Sequence, residues 1–373
     1  MIISLPLVSP LFFQFSNNFQ NLNVPLQFNA SNAFTYLEDQ LNINTTHYRI
    51  PGTQGREECA EYFVEKFKEV DVNFTYILHN FTILSVNCQN ILFKLNEHLD
   101  NIVILASHYD SRARATKDPD VAKRDEPVPG ANDGASGCAV LIDLARVFYL
   151  LRNNLTCQLW FLFFDAEDQG SDYSPGISGW DWCEGSDMFV EDIENFYNSS
   201  RESFDAMILL DMVGGVNLQF INEQHSTSSL LEEIFEIGRH LGYTSEFPES
   251  PIINSIRDDH VAFVDYGIPS ADLIINFWNN PAWPYHHTVN DNLAAISINS
   301  LEVTGKTIEQ FIYNNYLINS SYYSGNYPWF NDANLLDTDT FIFLLIIGLV
   351  SVSIIIFLLV RRTRNNKRKR IEN

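Results

Sequence analysis

Basic residues are scarce in this chain and confined mostly to one place. Of 373 residues only 23 are Lys or Arg, against 47 Asp or Glu, for a formal net charge of −24. Seven of the 23 fall in Arg361–Arg370 (RRTRNNKRKR), so the rest of the chain stands near −31. A surface this acidic lacks the footprint that nucleic-acid phosphates require, and a nucleic-acid partner is excluded. Cysteine is also sparse. Cys59, Cys88, Cys138, Cys157 and Cys183 include no CxxC pair, so no thiolate metal site is implied, and their odd number leaves at least one thiol free or intermolecular. No internal repeat is present. Gly130, Gly134 and Gly137 are not followed by Lys-Ser/Thr, so they do not form a phosphate loop.

One long apolar run is present. Thr340–Val360 (TFIFLLIIGLVSVSIIIFLLV) carries no charge over 21 residues, enough to span a ~30 Å hydrocarbon core as a helix. The basic block after it predicts a transmembrane helix over 340–360 with residues 361–373 as a cytoplasmic tail, and everything before it extracellular or lumenal. Residues 320–339 read as a juxtamembrane stalk. Residues 1–24 read as a signal peptide or anchor, although the positive n-region is missing. Sequons at Asn29, Asn44, Asn73, Asn80, Asn154, Asn198 and Asn319 agree with export.

Between these ends, 25–319 reads as one domain. Helical periodicity marks residues 30–42, 55–69, 135–151 and 298–317. Residues 80–95 read as two strands around a polar turn at Asn87–Asn90. Short apolar strands are expected at Asn101–Ser107, 158–164, Ala206–Leu210 and Ala271–Phe277. Alternating strands and helices predict an α/β fold with a mostly parallel central sheet covered by helices on both faces. Ligands in such sheets bind beyond the carboxyl ends of the strands. The chain places its polar residues there: His108 and Asp110 after one strand, Asp165, Glu167 and Asp168 after another, Asp211 after a third and His287 after a fourth, with Asp133 at a helix start.

Taken singly these residues have ordinary readings. Asp133 suits a helix cap, and a lone His is usually solvated. Together, His108, Asp133, Asp168, Asp211 and His287 offer two imidazoles and three carboxylates, the donor set of a borderline cation such as zinc. Three carboxylates within FFDAEDQG (163–170) repel one another, and a cation or water must compensate. Asp110 reads as a group that orients His108, and Asp165 as support for the segment after its strand. Trp180, Trp182, Trp278 and Trp283 fall in loops near the expected site.

HYDSR, GANDGASG, FFDAEDQG, LLDMVGG, DDHVAF and HHTVNDN, in this order and spacing, resemble the glutaminyl-peptide cyclotransferases, which share the fold of the zinc-dependent di-metal aminopeptidases. The resemblance covers roughly residues 30–318. It implies one zinc held by Asp133, Asp168 and His287, with Glu167 as general acid/base and Asp211 and Asp258 completing its network. In the aminopeptidase alternative, His108 and Asp211 bind a second zinc and Asp133 bridges. The resemblance implies conversion of N-terminal glutamine of peptides or proteins to pyroglutamate with release of ammonia. Asp168, where the peptidases commonly carry Glu, favours the cyclotransferase side, as does the doubled Asp258-Asp259. A remoter alternative is an inactive binding ectodomain, but no ligand of the set is missing. Two departures stand out. His286 replaces a frequent pocket Trp and reads as a solvated ring. Ser107 replaces the cysteine that pairs in some relatives with the position of Cys138, so that bridge is absent.

Overall fold

The computed structural model describes residues 25–43, 48–171 and 173–318. Helix α1 (Ala30–Asn42) is capped by the Asn29 side chain, which accepts from the amides of Ser31 and Asn32. α2 (Gln54–Val70) follows, then the hairpin β1 (Thr75–Ile83) and β2 (Val86–Leu95). The turn falls at Leu84 and Ser85, both at positive φ (44° and 74°). Two such residues match the twist of the flanking strands. The polar run Asn87–Asn90 is therefore inside β2 and not at the turn, a correction to the sequence reading. Asn90 is buried there, donating to the Gly185 carbonyl and accepting from the Asp165 amide. Its polarity serves tertiary hydrogen bonds rather than a bend.

β3 (Asn101–His108), α3 (Ala135–Leu150), β4 (Gln158–Phe164), α4 (Glu184–Glu191) and β5 (Ser203–Asp211) continue the domain. The short β6 (Asn222–Glu223) and β7 (Ile253–Asn254) pair with each other around α5 (Ser228–His240), and α6 (His260–Tyr266), β8 (Ser270–Ile274) and α7 (Ile298–Tyr316) close it. The six-stranded sheet has the order β1-β2-β4-β3-β5-β8. β4, β3, β5 and β8 run parallel, whereas β1–β2 and β2–β4 are antiparallel. The expected mostly parallel sheet is thus corrected to a mixed one, because the two-residue turn returns β2 antiparallel to β1. Among the described residues no helix is long and apolar enough to cross a membrane. The transmembrane helix is accordingly not a part of the described fold. The segments 1–24, 320–339, 340–360 and 361–373 lie outside the described residues.

Helices cover both faces, as the strand alternation requires. Leu159, Phe161 and Phe163 of β4 pack into the core with α2 and α3, while Trp160, Leu162 and Phe164 pack with Phe189 of α4 and Phe263 of α6. The chain leaves β3 toward β4 on one side and places β5 on the other, so the carboxyl end of β3 is a topological switch point. α3 starts against that end. A Cβ on Gly137 would lie 2.1 Å from the Leu210 carbonyl oxygen and 2.3 Å from Ser107 Oγ, so only glycine lets the helix seat so close to β3 and β5.

Candidate metal centre

β3 ends on His108, which is fully buried. Its Nδ1 is 3.4 Å from Asp110 Oδ1, and its Nε2 is 3.2 Å from both Asp133 Oδ1 and Asp211 Oδ1. Asp110 thus orients this imidazole, as the sequence suggested. It also accepts from the amides of Glu167 (3.0 Å) and Asp168 (3.3 Å) and from Gln169 Nε2 (2.9 Å). One carboxylate therefore fixes the ends of both β3 and the loop after β4.

Asp133 is not a helix cap. Gly134 holds that position, at φ +94°, and a Cβ there would meet the Asp110 carbonyl oxygen at 2.7 Å. The carboxylate of Asp133 instead splits its two oxygens. Oδ1 faces His108, and Oδ2, buried and without a hydrogen-bond partner, lies 3.8 Å from His287 Nε2. His287 Nε2 is 2.9 Å from Asp168 Oδ1, and Asp168 Oδ2 is likewise buried without a partner. Arg112 donates from Nη1 to both the carbonyl (2.7 Å) and Oδ1 (3.2 Å) of Asp168, and from Nη2 to the carbonyls of Gly170 and Ser174. Ala166, Met212 and His287 all have positive φ (63°, 50° and 56°). These three left-handed non-glycine residues sit beside the clustered side chains, a place where such strain characteristically persists.

The electrostatics are those of a crowded acid cluster. Burial raises the Glu167 pKa well above the ordinary carboxylate value; His108 opposes this, and Asp168, Asp258 and Asp259 add to it. Burial, then Asp211, pushes Asp258 up to about 8. Burial disfavours a charged His108, yet Asp211, Asp110 and Asp133 outweigh it and hold the imidazole well above its usual value. Asp165, Glu167 and Asp168 do not share one partner. Asp165 Oδ2 accepts from the Gln89 amide (2.9 Å) and lies 3.3 Å from Arg56 Nε. It ties β4 to β2 and α2, and it also takes a hydrogen bond from the Ala166 amide at the start of the loop after its strand.

The structure brings all seven sequence-derived residues together: Asp133, Glu167, Asp168, Asp211, Asp258 and His287 line one cavity of ≈ 190 Å³, with His108 behind it. Ligand atoms of Asp133, His286 and His287 lie within 4.8 Å of one another, as do those of His108, Asp133 and Glu167, and of Glu167, Cys183 and Asp258. The orphaned oxygens of Asp133 and Asp168, beside imidazole nitrogen, fit a divalent cation of the zinc type.

His286 departs from its reading as a solvated ring. It is half-buried, 3.6 Å from the His287 ring and 4.2 Å from Phe277, and Lys117 Nζ donates to its Nδ1 at 3.0 Å. Burial, with His287, Lys117 and Arg112, holds its pKa well below the usual value. Trp182 stacks on His287 at 5.7 Å and Trp278 lines the cavity, whereas Trp180 and Trp283 are core. Asp291 escaped notice although it lies in HHTVNDN. Its two oxygens accept from the amides of Asn132 (2.9 Å) and Asp133 (3.1 Å) and so aim the Asp133 carboxylate. All five cysteines are free; Cys138 donates its thiol to the His108 carbonyl, beside Ser107.

Residues 90–312 match the model of peptidase family M28, and the chain belongs to that family. Within it, the chain is 26% identical over 297 residues to the glutaminyl-peptide cyclotransferase of Bos taurus, covering 71% of this chain and 77% of that one. The structure is similar to that of the glutaminyl cyclase of Tannerella forsythia, with a TM-score of 0.68 and 28% identity over 78% of this chain and 100% of that one. It is equally similar to a Zn-dependent exopeptidase from Parabacteroides distasonis, with a TM-score of 0.69 and 28% identity over 78% and 99%.

Proposed function

We propose that the protein is a zinc-dependent glutaminyl-peptide cyclotransferase, converting N-terminal glutamine of peptides or proteins to pyroglutamate with release of ammonia. Asp133, Asp168 and His287 would hold the zinc, which when bound supplies Lewis-acid polarisation of the substrate's γ-amide carbonyl. The observation that carries the reading is the position of Glu167. It is 93% buried, within reach of both the ligand cluster and Asp258, in a setting that favours its protonated form.

Such a carboxyl suits a proton shuttle. With Glu167 as the carboxylate, which a cation bound beside it would favour, the α-amine nitrogen attacks the γ-carbonyl carbon, Glu167 takes the amine proton, the bond to the amide nitrogen breaks, and Glu167 returns that proton to the leaving nitrogen, which departs as ammonia. Asp211 and Asp258, whose carboxyls meet, share a proton behind Glu167 and keep its neighbourhood from accumulating charge. The ≈ 190 Å³ cavity is below the ~300–1,000 Å³ of drug-sized sites. It suits one folded-back residue, walled by Ile274, Phe277 and Trp182. Selecting that conformer supplies much of the rate of an intramolecular attack.

One observation favours a second reading, a zinc aminopeptidase. Asp133 presents one oxygen to His108 and the other toward His287, an arrangement suited to bridging two cations. Glutaminyl and leucyl peptides separate the readings. Ammonia from the former supports cyclotransferase; leucine from the latter without ammonia overturns it. Metal analysis of the active protein gives one zinc in the first case and two in the second.

A further inference from the structure

β1 is a terminal strand of the six-stranded sheet, and among the described residues no strand pairs with its outer edge. Such an edge offers unpaired amides and carbonyls to any passing chain, and proteins blunt it with charge, proline or a bulge. β1 itself has none of these. Its nine residues, TYILHNFTI, include no Asp, Glu, Lys, Arg or Pro. It pairs with β2 from Thr75↔Lys94 to Ile83↔Val86 without a register shift. The whole run from Val72 to Phe93 lacks Asp, Glu, Lys and Arg, in a chain of net charge −24. Tyr76 and Leu78 are 36% and 41% exposed on this strand. Lys68 Nζ lies 5.2 Å from the Tyr76 ring centroid, near the amino end of the strand. The middle of the edge carries Asn80-Phe81-Thr82, an acceptor sequence for an N-linked glycan. Asn80 and Thr82 are exposed, whereas His79 and Phe81 are buried. Asn80 Oδ1 accepts from Gln89 Nε2 at 2.7 Å, which leaves Nδ2, the atom a glycan bonds, uncommitted. Asn80 also borders a hollow of ≈ 520 Å³ between the hairpin and α2, lined by Leu78, Thr82, Gln89, Glu57 and Glu61. That hollow shares no residue with the reaction cavity.

We infer that Asn80 is an N-glycosylation site, and that the first sugars of its glycan lie over this hollow and cover the β1 edge. The inference rests on the export expected of residues 25–319. The co-reactant is a lipid diphosphate-linked oligosaccharide. Asn80 Nδ2 attacks the anomeric carbon of its first N-acetylglucosamine. The Nδ2–C1 bond forms as the C1–O bond to the diphosphate breaks; the lipid diphosphate leaves with the electron pair, and the amide nitrogen gives up one proton. A sugar of this class presents an apolar ring face to Leu78 and hydroxyl donors to the carboxylates of Glu57 and Glu61. The bulk and hydration of the glycan then replace charge as the barrier to edge pairing.

The test uses the full chain produced through the secretory pathway of a eukaryotic host. Peptide N-glycosidase in heavy-oxygen water converts each glycosylated Asn to labelled Asp, and fragment-ion sequencing locates the label. Expected is a label at position 80 that is lost in Thr82→Ala, where Asn80 itself is intact, as well as in Asn80→Gln. Light scattering then compares the wild type with each of these variants, which keep every other glycan. Expected are larger particles in both variants, reversed when Leu78→Lys is added to restore a charge to the edge. An unlabelled Asn80 in molecules labelled at other sequons overturns the site alone. A chain without label at any sequon overturns both the site and the export on which it rests. A labelled Asn80 whose loss leaves particle size unchanged overturns the covering role.

Discussion

Replacing Glu223 by Gln isolates a group that neither motif nor spacing singles out, yet that braces the acid cluster. Glu223 is 1% exposed on β6. Its Oε2 accepts from the amides of His225 and Ser226 (2.8 Å each) and from Ser226 Oγ (3.0 Å), and lies 2.9 Å from His260 Nε2; its Oε1 accepts from the Ile256 amide at 3.1 Å. The side chain therefore holds the start of α6 and the segment leading into Asp258. Burial raises its pKa, but His260 and the amide donors outweigh that and hold it at about 2, against an ordinary 4.5. At ~1.4 kcal/mol per pH unit, the gap between those values is worth about 3 kcal/mol. Because the folded value is the depressed one, this stability is present above pH 4.5 and is lost as pH falls toward 2. Glu223→Gln should therefore lower the unfolding free energy by about 3 kcal/mol at pH 6 but only by about 1 kcal/mol at pH 3. Urea titration of both proteins at the two pH values, with chelator in every sample, measures this difference, and the other acids cancel in it. A penalty that changed by less than ~0.5 kcal/mol between pH 3 and 6 would refute the claim that Glu223 is an anionic anchor.

The role split within the EDQG segment predicts that Glu167→Gln keeps zinc by metal analysis while losing roughly 10²–10⁴ in turnover. Asp168→Ala should lose the zinc itself, and equal zinc loss in both would contradict the split. Asp291→Asn, which replaces one of the two acceptors aiming the Asp133 loop, should weaken zinc affinity roughly 10–100-fold in a chelator competition while leaving far-UV circular dichroism intact. Gly137→Ala forces a Cβ against the Leu210 carbonyl oxygen and should cost roughly 1–3 kcal/mol, read as a lower Tm without a change in zinc content.

Much of the site was legible because its residues sit at strand ends, and strand ends follow from apolar runs. His108, Glu167, Asp168 and Asp211 lie at or just beyond the carboxyl ends of β3, β4 and β5. What escaped was whatever depends on distant segments meeting. Arg112 reaches Asp168 across 56 residues, Asp291 reaches Asn132 across 159, and Glu223 reaches His260 across 37; nothing periodic links such pairs. His286 was misjudged for a related reason. Its surroundings come from Lys117, 169 residues away, and a ring's solvation cannot be read from its neighbours in sequence. The hairpin turn failed differently. Local polarity pointed to Asn87–Asn90, but Leu84 and Ser85 take the left-handed backbone that polarity would have assigned elsewhere.

The three carboxylates of FFDAEDQG show why that distinction matters for function. Their crowding demanded compensation, from a cation or from water. The structure divides the compensation among separate groups. Asp165 is met within the scaffold by Arg56 and the amides of Gln89 and Ala166, although burial, then Asp110, still push it up to about 8. Asp168 has Arg112 and His287 on one oxygen and nothing on the other, which leaves a lone acceptor beside the unpartnered Asp133 Oδ2. Glu167 has no buried Arg of its own among its contacts; it faces Cys183, His108 and further acids. Glu167 is the one of the three that reaches both the His108–Asp133 cluster and Asp258, which places it to exchange a proton with a bound substrate. Holding the carboxyls on either side in place, by Arg56 and by Arg112, is what leaves the middle residue to move a proton.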